Sequence, residues 1–147
     1  MRVVLDTNVL VRANVRADGP AHKLLDRLQG GAHVLLVSDF ILEEVGRVLR
    51  YPRLQSRWGM SDDEIREFVA DLRENGELVT LENDESIGPT LSDPDDHWIV
   101  RTAVKGRADV LCTLDRHLRA AEVREYCKSR GIEILSDVEL LDRLRAE

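Results

Sequence analysis

Acidic side chains fall in this sequence where an α/β chain places its chemistry. Asp6 closes the apolar run RVVL and is followed by Thr7 and Asn8. Asp115 lies just past a second apolar run, DVLCT at 109–113. Glu43 and Glu44 fall in the first turns of a helix that follows a third run, HVLLV at 33–37. Asp93, Asp95 and Asp96 surround Pro94 at the start of a further helix. Crowded carboxylates repel one another and are costly to ionise. A divalent cation relieves that cost, and Mg²⁺ takes oxygen ligands while keeping several waters. Such a metal beside a phosphate suits phosphodiester hydrolysis by water. No combination of His and Cys suggests zinc.

Each acid also has a plainer reading. Asp39, Glu43 and Asp95 read as helix caps, worth about 1 kcal/mol each. An Asp that closes an apolar strand is expensive unless it is paired or metal-bound, so Asp6 reads as functional. Composition leaves Asp96 and Asp115 open between the two readings.

The elements that must position these acids alternate along the chain. Strands are expected at 2–6, 33–37, 78–81, 109–113 and 132–135, all short apolar runs. The first helix is expected late, after Asp18-Gly19-Pro20, and runs to Gly30-Gly31. A second starts at Ser38 or Asp39 and is ended by Pro52. Ser61 and Glu64 form a capping box opening a third, which ends near Asn75-Gly76. Residues 82–92 read as a polar loop. Helices follow from Pro94 to Lys105-Gly106, from about Asp115 to 128, and from Ser136. Continuous apolar strands flanked by helices predict a three-layer αβα sandwich around a central, mostly parallel twisted sheet of four to five strands. In such sheets ligands bind outside the carboxyl ends of the strands.

The 147 residues fit a single domain spanning 1–147, with no repeat or linker. With 43% hydrophobic and 33% charged residues the chain reads as globular, not disordered. No apolar run is long enough for a membrane span, and the N-terminus lacks the features of a signal peptide, so a cytoplasmic location is expected. Cys112 and Cys127 are isolated and read as core thiols. The net charge of −7 gives no support to nucleic-acid binding. Local basic segments do exist: Arg47, Arg50, Arg53 and Arg57 in one stretch, and Arg116, His117 and Arg119 in another.

The motifs VVLDTNVLVRA at 3–13, VSDFILEEVGRVLR at 37–50, DPDDHWIVRTAVKGRADVLCTLDRHL at 93–118 and IEILSDVELLDRL at 132–144 together resemble the PIN domain, and within it the VapC-like toxin group, over nearly the full length. The resemblance implies an acidic pocket that binds Mg²⁺ or Mn²⁺ and cleaves single-stranded RNA. It places the four family acids on Asp6, Glu44, Asp96 and Asp115. It makes Asn8 and Thr113 residues that orient carboxylates or water, and gives Asp93 a supporting or additional ligand role. It further implies a cognate antitoxin protein and a homodimer. Arg47, Arg50, Arg116 and His97 are candidate contacts to substrate or partner, beside the plainer reading of solvated helix faces. Two departures stand out: Leu114 in the TLD motif, and His97 where the group often has Asp or Asn.

Other readings compete. A receiver domain needs a Lys ending a late strand, and none is there. A phosphatase-like fold usually has an Asp two residues after its nucleophile, where this chain has Asn8. A non-catalytic RNA- or protein-binding module would use the acids structurally.

Overall fold

The computed structural model describes residues 1–81 and 94–147, with the side chains of 94–96 left aside. The sheet expectation holds. Strands β1 (Arg2–Leu5), β2 (Val34–Val37), β3 (Glu77–Leu78), β4 (Val110–Cys112) and β5 (Glu133–Leu135) pair in the order β3-β2-β1-β4-β5, and all four pairings are parallel. Val3, Val4 and Leu5 are all buried, although successive side chains of a strand point to opposite faces. Both faces of β1 are therefore covered, which gives the three layers. Strand β3 is shorter than the 78–81 run suggested. Past Leu78 only the Val79 amide still donates, to Val37 O at 2.7 Å.

The helices require one substantial correction. A helix begins immediately after the first strand: α1 (Thr7–Val15) has Asp6 as its N-cap. The late start expected from Pro20 instead marks a second helix, α2 (Pro20–Leu28). The run Val9-Leu10-Val11 has the β-branched look of an extended strand, yet all three are buried in helical form. Tertiary burial overrides propensity there.

Helix α3 (Asp39–Leu49) is capped by Ser38, whose Oγ accepts from the Ile41 amide at 3.3 Å. Asp39 is thus not the cap; its exposed carboxylate pairs with Arg73 at 2.6 Å. Pro52 does follow the end of α3, but it also sits in the first turn of α4 (Pro52–Trp58), where its fixed φ and missing N–H cost nothing. Helix α5 (Asp62–Asn75) opens on the expected Ser61–Glu64 capping box. Helix α6 (Pro94–Lys105) opens at Pro94 as expected, while the loop at 82–92 and Asp93 lie outside the described residues. After Asp115 the chain makes turns before α7 (Ala121–Ser129), which starts later than expected. Helix α8 (Asp137–Arg145) has a second capping box, Ser136–Glu139.

Helix α6 crosses β1, β2 and β4 and packs on α3. Its position is fixed by a stack of Trp98 on Phe40, with ring centroids 5.6 Å apart, and by the Arg101 guanidinium 4.7 Å from the Trp98 ring. Ser38 and Thr102 hydroxyls meet at 3.1 Å beneath that stack. At the far end of α6, Gly106 is needed for close approach: a Cβ there would lie 2.8 Å from Val79 Cγ2 and 3.0 Å from Thr102 O.

Candidate active site

The strand register explains how distant residues come together. Val4 pairs with Leu36 and with Leu111, and Leu111 pairs with Ile134. Continuing each strand by the same number of residues gives a row across the carboxyl edge: Ser38, Asp6, Thr113 and Ser136. The chain crosses from one side of β1 to the other between β3 and β4, so the crevice between β1 and β4 is the topological switch point of the sheet. Open α/β sheets bind ligands there. Asp6 and Thr113 flank it.

Asp6 is 7% exposed. Its backbone amide donates to Cys112 O at 2.9 Å, anchoring it to β4. Its Oδ1 accepts from the Thr7 amide at 2.7 Å, and its Oδ2 accepts from the Thr113 hydroxyl at 2.8 Å. The same hydroxyl accepts from the Asp115 amide at 3.0 Å. Asp115 is half-buried, and its Oδ1 accepts from the His117 amide at 2.8 Å, which closes a tight turn and fixes the carboxylate. Burial pushes the Asp6 carboxyl above its ordinary value; the Thr113 and Thr7 hydrogen bonds pull it back, and the Asp115 charge raises it again.

The other expected residues sort as follows. Asn8 is exposed in the first turn of α1. Of the neighbouring glutamates, Glu44 is half-buried with Oε2 shielded from solvent, while Glu43 is exposed. Glu44 is one helical turn from Val48, which lines the same cleft as Asn8 and Asp115. Asp93 and the side chain of Asp96 lie outside the described residues. Among the described residues no three acidic, His or Cys side chains gather closely enough to hold a metal by themselves. The donors in place are all oxygens, from Asp6, Asp115, Thr113 and Asn8, and they fit a hard dication better than a soft one. The buried Thr7 hydroxyl has no hydrogen-bond partner among the described residues, leaving one more oxygen uncommitted beside Asp6.

The candidate contact residues are dispersed. Arg47 is exposed on α3 beside Phe40, Glu43 and Glu44. Arg50 is tied down by Asp62 at 2.6 Å and by Gly46 O at 2.8 Å. Arg116 is exposed in the turn after Asp115, and His97 is half-buried in the first turns of α6.

Sequence reasoning missed two features. One is Asp137, 4% exposed at the start of α8, whose Oδ1 accepts from the next amide just as Asp6 Oδ1 does. Its place two residues after the last strand was the available signal. The other is a cleft of about 650 Å³ beside the acidic rim, whose walls carry Arg12, Arg16, Arg53 and Arg57. The spacing of Asn8 and Arg12 puts both on one face of a helix, with Arg16 just past its end, but only once α1 is known to be a helix.

A parallel α/β sheet with a buried Asp ending its central strand at the switch point defines a class of folds that carry acids on the strand rim. The PIN domain family model matches residues 2–117, and the chain belongs to that family. The fold is similar to a chain in the crystal structure of VapBC2 from Rickettsia felis bound to a DNA fragment from their promoter. The TM-score is 0.60 at 12% identity, covering 92% of this chain and 98% of that one. No curated protein matches significantly.

Proposed function

We propose that this chain is a Mg²⁺- or Mn²⁺-dependent endoribonuclease that hydrolyses phosphodiester bonds of single-stranded RNA, acting as the toxin of a VapC-like toxin–antitoxin pair. The observation that carries the reading is the buried Asp6 carboxylate at the switch point, joined through the Thr113 hydroxyl to Asp115. Family membership supports it. In this reading Asp6, Glu44, Asp96 and Asp115 hold the metal. Thr113 orients Asp6 and fixes the backbone of Asp115, Asp93 supports the set, and Asn8 orients a carboxylate or a water.

A divalent ion held there supplies an activated water and positive charge beside the departing oxygen. The protein residues do the rest. Asp6 keeps one fixed orientation because both its oxygens are hydrogen-bonded. Asp115, half-exposed, reaches the solvent side where a phosphate enters. Arg47 and Arg116 are exposed candidates to contact substrate or partner, with half-buried His97 a third, whereas Arg50 would have to leave Asp62 to do so.

A partner protein follows from the toxin reading, since the similar structure is of a VapBC2 assembly. An acidic pocket attracts a basic side chain, so an antitoxin that inserts one would inhibit by occupying the metal's place. Homodimerisation and a cytoplasmic location belong to the same proposal. Among the described residues no helix is long and apolar enough to cross a membrane.

The deciding experiment is cleavage of an end-labelled single-stranded RNA with Mg²⁺ or Mn²⁺, comparing wild type with Asp6→Asn and Asp96→Asn. Cutting by wild type that EDTA abolishes and both variants lack supports the reading. Equal cutting by all three proteins marks a contaminant and sinks it. Metal binding without cutting of any RNA favours a non-catalytic binding module.

A further inference from the structure

The net charge of −7 makes any concentration of unpaired cations informative. Such a concentration lies beside the acidic rim. Arg12 on α1 and Arg16 just past its C-terminus form one wall, with Arg53 and Arg57 on α4 across the cleft. All four are exposed, and none makes an ion pair among the described residues. Six other arginines are ion-paired among the described residues: Arg2 with Glu77, Arg50 and Arg66 with Asp62, Arg73 with Asp39, Arg119 with Glu139 and Arg143 with Glu133. Four uncommitted guanidinium groups facing one another across a cleft repel, and a polyanion removes that cost.

The cleft also offers an aromatic surface. Trp58 lines it and is 40% exposed, an unusual place for an indole. The Arg57 guanidinium lies 5.8 Å from its ring centroid. An exposed aromatic beside arginines is the arrangement on which nucleic-acid bases stack while phosphates are neutralised. Finally, the cleft is continuous with the acidic rim. Asn8 and Asp115 line the same cavity, and Asn8 and Arg12 sit one turn apart on α1, with Arg16 just past its end. Asn8 and Arg12 are separated by about 6 Å along the helix axis.

We propose that the cleft between α1 and α4 is the binding track for the single-stranded substrate: Arg12, Arg16, Arg53 and Arg57 hold phosphates, Trp58 stacks a base, and the strand is led to Asp115. The identity of the strand as RNA rests on the nuclease reading; the track itself does not. The stack is sequence-tolerant, because every base has a π-face. Arg50, in this assignment, stays with Asp62 and takes no part.

The test is binding without turnover, in EDTA, of a short fluorescein-labelled oligouridylate to the full-length protein, followed by anisotropy over a salt series. Four neutralised phosphates give a slope of log Kobs against log salt of about −3, and each Arg→Gln change in the track reduces it by about 0.7. Trp58→Ala weakens binding roughly 5- to 150-fold and Trp58→Phe restores most of it. Arg145→Gln, outside the cleft, leaves the slope unchanged. The intrinsic fluorescence of a Trp98→Phe protein, in which Trp58 is the remaining tryptophan, is quenched on binding.

Absence of binding, or binding with a slope indifferent to all four arginines, overturns the proposal. So does quenching by polyglutamate but not by oligouridylate, which assigns the cleft to an acidic protein segment. Because no cleavage is measured, failure here leaves the nuclease reading to its own assay, and failure of cleavage leaves this result standing.

Discussion

Thr113 and Asp6 stand 107 residues apart in sequence and 2.8 Å apart at the hydroxyl–carboxylate hydrogen bond. Their meeting follows from the pairing of β1 with β4, continued one residue beyond Leu5 and Cys112. The Thr113 hydroxyl has one proton, given to Asp6, and accepts the Asp115 amide with a lone pair. One side chain thereby sets the orientation of one acid and the backbone of another.

Removing that hydroxyl therefore costs twice. Thr113→Val keeps the shape but leaves the Asp115 amide without its acceptor and Asp6 without a donor. Each unsatisfied group costs about 1–3 kcal/mol. Urea denaturation is expected to show the loss, and Mn²⁺ affinity is expected to fall about 10- to 100-fold. Thr113→Ser should recover most of both. Unchanged stability and affinity in Thr113→Val would remove Thr113 from the site.

Asp6 gives a prediction whose sign depends on pH. Burial raises its carboxyl above the ordinary value of 3.8, so the folded protein holds that proton more tightly than the unfolded chain does. The resulting stability is present below pH 3.8 and is lost as pH rises through the folded value. Asp6→Asn cannot lose it. In EDTA the variant and wild type should melt alike at the acid end, and at pH 7 the variant should melt higher. Each 1 kcal/mol so gained raises Tm by about 2–4 °C in a chain of this size. Added Mn²⁺ should stabilise wild type alone. A variant that melts lower at pH 7 contradicts the desolvation argument.

The two adjacent glutamates separate by exposure. Glu44→Gln is expected to lower RNA cleavage about 10- to 100-fold, the scale seen when a metal site loses a supporting group. Glu43→Gln, on the exposed side of α3, should stay within about twofold. A reversed pair of rates would move the ligand to Glu43.

The thiols should be inert in the folded state. Burial pushes Cys127 up to about 11 and Cys112 higher still, so neither is a thiolate at pH 8. A disulfide reagent at pH 8 should titrate no thiol in native protein and both in denaturant. Rapid reaction of either in native protein would show that its element opens readily.

The sheet and its rim were legible in the sequence because β1, β2 and β4 are short apolar runs, and the residues after β1 and β4 are polar in a way that apolar runs do not need; β3, an exposed pair, overlaps the expected 78–81 run only at Leu78. Asp6 and Asp115 could be placed on one edge for that reason. The pairing of Thr113 with Asp6 also needed the strand order. Helix α1 was not legible, since Val9, Leu10 and Val11 are all buried and leave no amphipathic period to read. Missing α1 concealed the basic cleft, whose walls come from two helices and whose arginines are separated by some forty residues. The pairing of Arg50 with Asp62 likewise depends on how α3 and α5 pack, which no local pattern reports.

The strand order also has a consequence in time. Of the two strands that flank the crevice, the central β1 leaves a ribosome before β4, which begins only at Val110. A nascent chain that has emerged only as far as α6 carries Asp6 but has neither Thr113 to hold it nor Asp115 beside it. Whatever this site does, synthesis itself withholds it until β4 and the turn after it have emerged.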